Sequence, residues 1–214
     1  MNFFGHAAVA CWRSTEPGYV LGAMLPDLAA MIGARPPGVG DATVAKGVAF
    51  HHLTDDAFHD SPTFRALMGE ASTRLVRTGL ERGRARAVAH VGVEILLDGV
   101  LADSREARAA YLAALAHAPR LSAALEWRNA GEGVAYTALV TSMRARGVSR
   151  QHTTPSVVAL RVQHALSARP RLAIDRAELP LVEAWARAAA SDVREQTPRL
   201  LTELEGPLAR PPIG

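Results

Sequence analysis

Histidine and acidic side chains recur at steps of four residues in two parts of the chain. Each part carries a trio at this spacing, namely His51, Asp55 and His59 in the first part, and His90, Glu94 and Asp98 in the second. On an α-helix this spacing places the three side chains along one face. Imidazole and carboxylate groups arranged in this way can converge on a divalent cation. If the two helices pack face to face, six candidate ligands reach one pocket, so the pattern predicts a metal site.

The first trio lies in a segment that is unusually rich in ionisable residues for a helix. Residues 51–60 contain three histidines and three aspartates. These residue types are poor helix formers, and a function for their side chains would explain their presence. The alternative is a charged helix face exposed to solvent.

The second trio is surrounded by aliphatic residues, which are Val88, Val91, Val93, Ile95, Leu96, Leu97 and Val100. A helix that is apolar on nearly all sides is a buried helix. Buried carboxylates must be paired or metal-bound to tolerate the loss of water, which favours ligand roles for Glu94 and Asp98. Two alternatives stay open: a structural ion pair with an arginine of another helix, and a hydrogen-bonded core histidine at His90.

Helix signals recur along the whole chain, whereas strand signals are nearly absent. We expect N-caps at Asn2, Asp41, Ser61 and Ser104, and a proline at the first position of the helix that follows Ser61. The helix after Asp41 should end near residue 59, and the helix after Ser104 near residue 116. A helix over residues 18–31 is expected to be interrupted near Pro26. Further helices are expected over residues 84–102, 134–146, 155–167 and 180–204.

These elements predict an all-α fold, a single-domain bundle of roughly eight to ten helices. The domain is expected to cover residues 1–205, and residues 206–214 are expected to be a flexible proline-rich tail. Residues 35–40 form the clearest loop, and residues 127–133 are a weak stretch. Trp12, Trp127 and Trp185 are expected to pack in the core.

Charge and composition narrow the class of partner. The net charge is +3 with a sequence pI near 9.6, which suits an acidic partner, and Lys46 is the only lysine. The densest basic cluster consists of Arg74, Arg77, Arg82, Arg84 and Arg86. No aromatic residues are interleaved with these arginines, which argues against stacking of single-stranded nucleic acid, and we expect no nucleic-acid partner. Their alternative role is an ordinary solvated face.

Targeting signals are not found in the sequence. Cys11 is the single cysteine, so no intrachain disulfide can form. Residues 1–10 lack the charged leader and long apolar core of a signal peptide, and no apolar run reaches the length of a transmembrane segment. We therefore expect a cytoplasmic protein. Its oligomeric state is not predicted.

Several short motifs, taken in order, resemble the acyl carrier protein phosphodiesterases, or holo-ACP hydrolases, a family of HD-domain-like metal-dependent phosphohydrolases. The start, Met1–His6, is similar to the family's Asn-Phe-Leu-x-His, and Gly22–Leu28 is similar to Gly-Asn-Leu-Leu-Ala-Asp-Phe. Residues 47–62 resemble its Gly-x-x-x-His-x-x-x-Asp pattern with a proline at the same distance. Residues 93–98 match a segment with two acidic residues four apart, and residues 165–172 resemble Ser-x-Arg-Pro-x-Leu.

The resemblance implies a set of metal ligands and a reaction. The implied ligands are His6, Asp27, His51, Asp55 and Asp98, with Glu94 in support. The implied reaction is hydrolysis of the phosphodiester that joins 4′-phosphopantetheine to a serine of acyl carrier protein. Mn²⁺ or Mg²⁺ would suit the carboxylates, and the histidines would also admit Fe or Zn.

Three positions depart from the family pattern. Gly99 follows Asp98 where the family often has histidine, His52 stands where arginine is usual, and His59 stands where aspartate is common. We expect His59 and His90 to be catalytic, as proton shuttles to the leaving serine oxygen, or else to replace the missing imidazole. His52 and Arg169 are the candidates for binding phosphate charge.

The resemblance implies acyl carrier protein, which is strongly acidic, as the substrate, and the basic balance of the chain fits a substrate that is docked by electrostatic steering. A small phosphodiester is the alternative substrate, since Gly22–Asp27 also resembles phospholipase C-like proteins, and a nucleotide or a lipid head group would need the same ligands. A catalytically inactive helical binding protein is the non-enzymatic alternative.

Overall fold

Nine α-helices make up most of the computed structural model, which describes residues 1–148 and 153–209. The helices are α1 (Phe3–Ala10), α2 (Pro17–Met31), α3 (Ala42–Asp60), α4 (Pro62–Arg77), α5 (Arg82–Leu101), α6 (Arg105–Leu121), α7 (Ala130–Arg146), α8 (Pro155–Leu166) and α9 (Leu179–Ala209). Two-residue strands, β1 (Gly38–Val39) and β2 (Leu125–Glu126), pair antiparallel. The predicted all-α fold is confirmed.

The predicted helix starts are confirmed by their capping hydrogen bonds. Asn2 accepts from the Phe3 backbone N–H. The carboxylate of Asp41 accepts from two backbone N–H groups in the first turn of α3. Ser61 and Ser104 accept from the N–H groups three residues ahead of each, at the starts of α4 and α6. These caps satisfy backbone donors that have no partner within a helix, which is why they mark helix starts in a sequence.

Proline positions account for most of the wrong boundaries. α2 continues through Pro26 without the predicted interruption, and α6 continues through Pro119 to Leu121 rather than ending near residue 116. α9 reaches Ala209, so the first residues of the predicted tail are helical, while residues 210–214 lie outside the described residues. A proline removes one helical hydrogen bond, and the burial of the neighbouring apolar face compensates for that loss.

Two other expectations need correction. α7 begins at Ala130 with Asn129 as its N-cap, rather than at residue 134. Trp12 is 44% exposed and is therefore not a core residue, whereas Trp185 is buried as predicted.

The helices divide into two compact units. The first consists of the described residues within Met1–Asp56 and Leu101–Ser149, and the second of those within Ala57–Val100 and Arg150–Gly214. In the first unit, α1, α2 and α6 pack on one another and α7 packs on α6. Its core includes Leu21, Leu25 and Leu115, and Phe4 meets Tyr111 edge to face at 5.3 Å between ring centroids. The single-domain boundary of residues 1–205 stays a prediction.

The second unit is built around α9, against which α4 and α8 pack. Phe58 and Phe64 lie 4.0 Å apart between ring centroids and are fully buried with Leu75, Leu96 and Leu97. Within α5, Gly92 lets the Trp185 ring approach the helix backbone, because a Cβ at that position would lie 2.4 Å from Cη2 of the indole. None of the described helices has both the length and the apolar character needed to cross a membrane.

Candidate metal centre

The first unit brings together three side chains from three different helices. His6 of α1, Asp27 of α2 and His51 of α3 each offer one donor atom, and these atoms all lie within 4.8 Å of one another. His6 and His51 are buried, and their rings stack at 3.9 Å between centroids. All three are residues that the sequence predicted as metal ligands.

His51 is held in a fixed orientation by the backbone of α2. Its Nδ1 lies 2.9 Å from the carbonyl oxygen of Ala23 and donates to it, which leaves Nε2 with a lone pair. Burial lowers the pKa of His51 to about 3, and the charge of His6 adds to this effect while the bond to Ala23 opposes it. The ring is therefore neutral near pH 7. A neutral imidazole whose other nitrogen donates to a carbonyl is the form that binds metals.

The contact between Ala23 and His51 depends on a close crossing of α2 and α3. At the crossing, Gly22 and Gly47 meet without side chains, and their Cα atoms are so close that a Cβ on Gly22 would lie 2.9 Å from Gly47 Cα. Both glycines belong to the motifs that carry the family resemblance. Their physical role is to let the two helix backbones touch, so that the ring of one helix reaches the carbonyl group of the other.

A fourth predicted ligand lies beside this group. Oδ1 of Asp55 is 3.7 Å from Nε2 of His6, and Oδ2 of Asp27 is 3.9 Å from the same nitrogen. The backbone nitrogen of Met1 lies 2.9 Å from Asp55 Oδ1. The side chains of Asp27 and Asp55 are 29% and 38% exposed, so the cluster can be reached from solvent. Two imidazoles and two carboxylates form a donor set that fits a divalent cation such as Mn²⁺, Fe²⁺ or Zn²⁺.

The second unit holds another group of three candidate ligands. His59, at the end of α3, lies with His90 and Glu94 of α5, and their donor atoms are also within 4.8 Å of one another. Nε2 of His90 is 3.1 Å from Oε1 of Glu94. The structure therefore places Glu94 with the two histidines for which the sequence predicted catalytic roles.

The remaining predicted site residues take other positions. Asp98 is completely buried on α5 and belongs to neither group of three within the described residues. His52 is exposed, and its ring meets that of His51 edge to face at 5.3 Å. Arg169 is exposed and follows α8. His52 belongs to the first unit and Arg169 to the second.

Some features of the two groups had no signal in the sequence. The Ala23 carbonyl that orients His51 is a backbone atom 28 residues away, so no residue type could mark it. Phe64 meets the rings of both His59 and His90 edge to face, at 5.4 and 5.6 Å between ring centroids, but nothing in the sequence distinguishes it from an ordinary core residue.

In comparisons with protein-family models, with curated proteins and with solved structures, the chain finds no significant match.

Proposed function

We propose that this protein is a divalent-metal-dependent phosphodiester hydrolase of the HD-domain-like kind, and that its substrate is holo-acyl carrier protein. The observation that carries the metal dependence is the grouping of His6, Asp27 and His51 within 4.8 Å, with His51 oriented by the Ala23 carbonyl. The substrate class is supported by the ordered motifs that resemble the holo-ACP hydrolases.

In this proposal the first unit holds the cation. His6, Asp27 and His51 are the ligands, and Asp55 is the fourth, because its Oδ1 faces His6 Nε2 at 3.7 Å. A divalent cation bound there supplies a Lewis acid for a phosphoryl oxygen and a water of lowered pKa. Mn²⁺ and Mg²⁺ suit the carboxylates, whereas two imidazoles favour Mn²⁺, Fe²⁺ or Zn²⁺ over Mg²⁺.

The chain's other contribution is to bind and orient the substrate. The exposed ring of His52, beside His51, can donate a hydrogen bond to a phosphate oxygen. A phosphate-binding role for Arg169, which belongs to the second unit, stays a prediction from the sequence. Water adds to phosphorus, the bond to the serine oxygen of the carrier protein breaks, and the serine leaves with a proton. A cytoplasmic location is part of this proposal.

The test is incubation of the full chain with holo-acyl carrier protein and Mn²⁺, followed by mass spectrometry of the carrier protein. We expect a mass loss of about 340 Da, the phosphopantetheine group, if the metal-assisted hydrolysis occurs. Asp27→Asn and His51→Gln should abolish the loss. His117→Gln, a substitution of the same kind on α6 of the same unit, should leave it unchanged.

A parallel assay with bis(4-nitrophenyl) phosphate separates the alternatives. Cleavage of this small diester without release of phosphopantetheine from the carrier protein would contradict the proposed substrate. It would favour a related phosphohydrolase that acts on a small molecule. A second result would contradict the hydrolase proposal itself: neither activity is found with Mn²⁺, Mg²⁺, Fe²⁺ or Zn²⁺, and the protein purified without chelator contains no metal. A helical binding protein would then be the remaining alternative.

A further inference from the structure

We propose that His59, His90 and Glu94 form a binding site for a transition-metal dication, Zn²⁺ or an ion of similar preference, within the second unit. None of its residues is among the ligands of the His6, Asp27 and His51 group, so the proposal does not rest on the hydrolase function. His90 also lies outside the motifs that carry the family resemblance, and His59 stands where the family commonly has aspartate.

The geometry brings three donors of the right kind together. The rings of His59 and His90 stack with 5.1 Å between centroids and 24° between planes. The lone pairs of stacked imidazoles lie in the ring planes, so a cation shared by both rings sits at the edge of the stack. Glu94 supplies a carboxylate at that edge, since its Oε1 is 3.1 Å from His90 Nε2.

These distances are close to those of a metal site. In tetrahedral Zn²⁺ sites, bond lengths near 2.0–2.1 Å place neighbouring donor atoms roughly 3.3 Å apart. The contact between His90 and Glu94 already has this separation, and the longest donor separation in the group is below 4.8 Å. Binding of a cation would draw the donor atom of His59 closer to the other two.

The surroundings hold the three side chains in place. His90 and Glu94 are one helical turn apart on α5, which places their side chains on the same face of the helix. Phe64 is 1% exposed, and its ring meets both imidazoles in T-shaped contacts, so it forms one wall of the group. Its own position is fixed by the cap of α4, where its backbone N–H donates to Ser61 Oγ. His59 lies in the last turn of α3, and the helix dipole favours a cation there.

The donor set and the exposure indicate which ion would bind. Two imidazoles with one carboxylate occur in open Zn²⁺ sites and in non-haem iron sites, whereas Mg²⁺ and Ca²⁺ prefer oxygen ligands alone. The side chain of His90 is 38% exposed and that of Glu94 is 14% exposed, so an ion and a further water or ligand can enter from solvent.

An ordinary i, i+4 ion pair between His90 and Glu94 is the simpler alternative. Such a pair does not require a second imidazole stacked on the first, and two protonated imidazoles at this distance would repel each other. This assignment replaces the proton-shuttle role that the sequence predicted for the two histidines.

The experiment is a Co²⁺ titration of the metal-free full chain, followed by visible absorption and calorimetry. To isolate the site, the titration is carried out in an Asp27→Asn background, where we expect about one equivalent of Co²⁺ to bind and Zn²⁺ to displace it. Adding His59→Gln, His90→Gln or Glu94→Gln should weaken this binding about 100-fold or more. His164→Gln, an exposed histidine of α8 in the same unit, is the matched control and should change nothing.

Two outcomes would overturn the second site. The first is unchanged Co²⁺ affinity in the His59 and His90 variants, with circular dichroism confirming that they fold. The second is the loss of all tight Co²⁺ binding with Asp27→Asn alone, which would leave only the first site. A third outcome separates the two proposals. If Co²⁺ binding depends on His90 and is insensitive to Asp27, the second site is supported and the metal centre of the proposed hydrolase is contradicted.

A measurement on the unsubstituted chain removes any dependence on variant folding. Long-range ¹H–¹⁵N NMR spectra of the histidine rings should show a nitrogen of His59 and a nitrogen of His90 shifting together on addition of Zn²⁺, with no shift at His164. Absence of a Zn²⁺-dependent shift at both rings would contradict the proposal.

Discussion

Gly22 of α2 and Gly47 of α3 meet backbone to backbone. A Cβ on Gly22 would lie 2.1 Å from the carbonyl oxygen of Val44, and a Cβ on Gly47 would lie 2.1 Å from that of Tyr19. Because both obstacles are backbone atoms, no side-chain rotation can relieve either clash. The crossing also sets the distance between Ala23 and His51, so the two glycines determine the orientation of a candidate metal ligand.

Replacing either glycine at this crossing should therefore destabilise the fold and weaken metal binding together. We expect Gly22→Ala and Gly47→Ala each to lower the free energy of unfolding by about 3 kcal/mol or more, since the helices must separate to admit a methyl group. Urea unfolding and a Mn²⁺ titration check the two effects. The control is Gly18→Ala on α2, where the nearest atom is 3.5 Å from the new methyl group. Wild-type stability in Gly47→Ala would show that the crossing is not as tight as described.

The helix starts were predictable because their signals are local. A cap such as Asp41 or Ser61 hydrogen-bonds to an N–H group two or three residues ahead, so the sequence contains both partners. Helix ends at prolines were predicted less well. Pro26 and Pro119 are unfavourable in isolated helices, and only packing against other elements decides whether the helix continues through them.

The candidate ligands were predictable as residue types, but their grouping was not. A spacing of four placed His51 and Asp55 on one face of α3, and His90 and Glu94 on one face of α5. The spacing could not reveal that His6 stacks on His51, or that His59 stacks on His90. Those contacts join helices that are far apart in sequence, so they depend on the tertiary structure.

Asp55 should contribute to metal affinity in the first unit, whereas its neighbour Asp56 should not. We expect Asp55→Asn to weaken Mn²⁺ binding about tenfold or more, because the neutral amide replaces a carboxylate 3.7 Å from His6 Nε2. Asp56→Asn changes an exposed residue by the same chemistry and should retain the affinity of the parent. Electron paramagnetic resonance of free Mn²⁺ measures both. Equal affinities in the two variants would remove Asp55 from the ligand set.

The basic cluster is only partly available to an acidic substrate. Arg74 bonds to Asp192 at 2.9 Å and Arg84 to Glu178 at 2.7 Å, whereas Arg77, Arg82 and Arg86 are exposed. Charge reversal of these three exposed arginines to glutamate should lower kcat/KM for holo-acyl carrier protein about tenfold at low salt, by slowing association. Cleavage of bis(4-nitrophenyl) phosphate should be unaffected.

The matched control reverses three exposed arginines of the first unit, Arg120, Arg144 and Arg146. It changes the net charge by the same amount at another surface. If both triple variants lose the same activity on the carrier protein, net charge rather than the basic cluster steers the substrate.

Glu203 of α9 should make the stability of the second unit depend on pH. Its carboxylate accepts from Ser61 Oγ at 2.6 Å and from both the backbone N–H and the hydroxyl of Thr63. These hydrogen bonds, led by that of Ser61, lower the pKa of Glu203 to about 2 from its usual 4.5. A group whose pKa is lower in the folded state binds its proton more readily when unfolded, so its contribution is present above pH 4.5 and is lost as the pH falls towards 2.

Glu203→Gln should consequently reduce stability by about 2 kcal/mol at pH 7 and by much less at pH 2, because charge-assisted hydrogen bonds are replaced by neutral ones. Urea unfolding at a series of pH values measures the difference. Glu205→Gln, an exposed neighbour on the same helix, should lose no such pH-dependent stability. A constant difference between Glu203→Gln and the parent across this pH range would mean that the ionised carboxylate does not hold the start of α4 against α9.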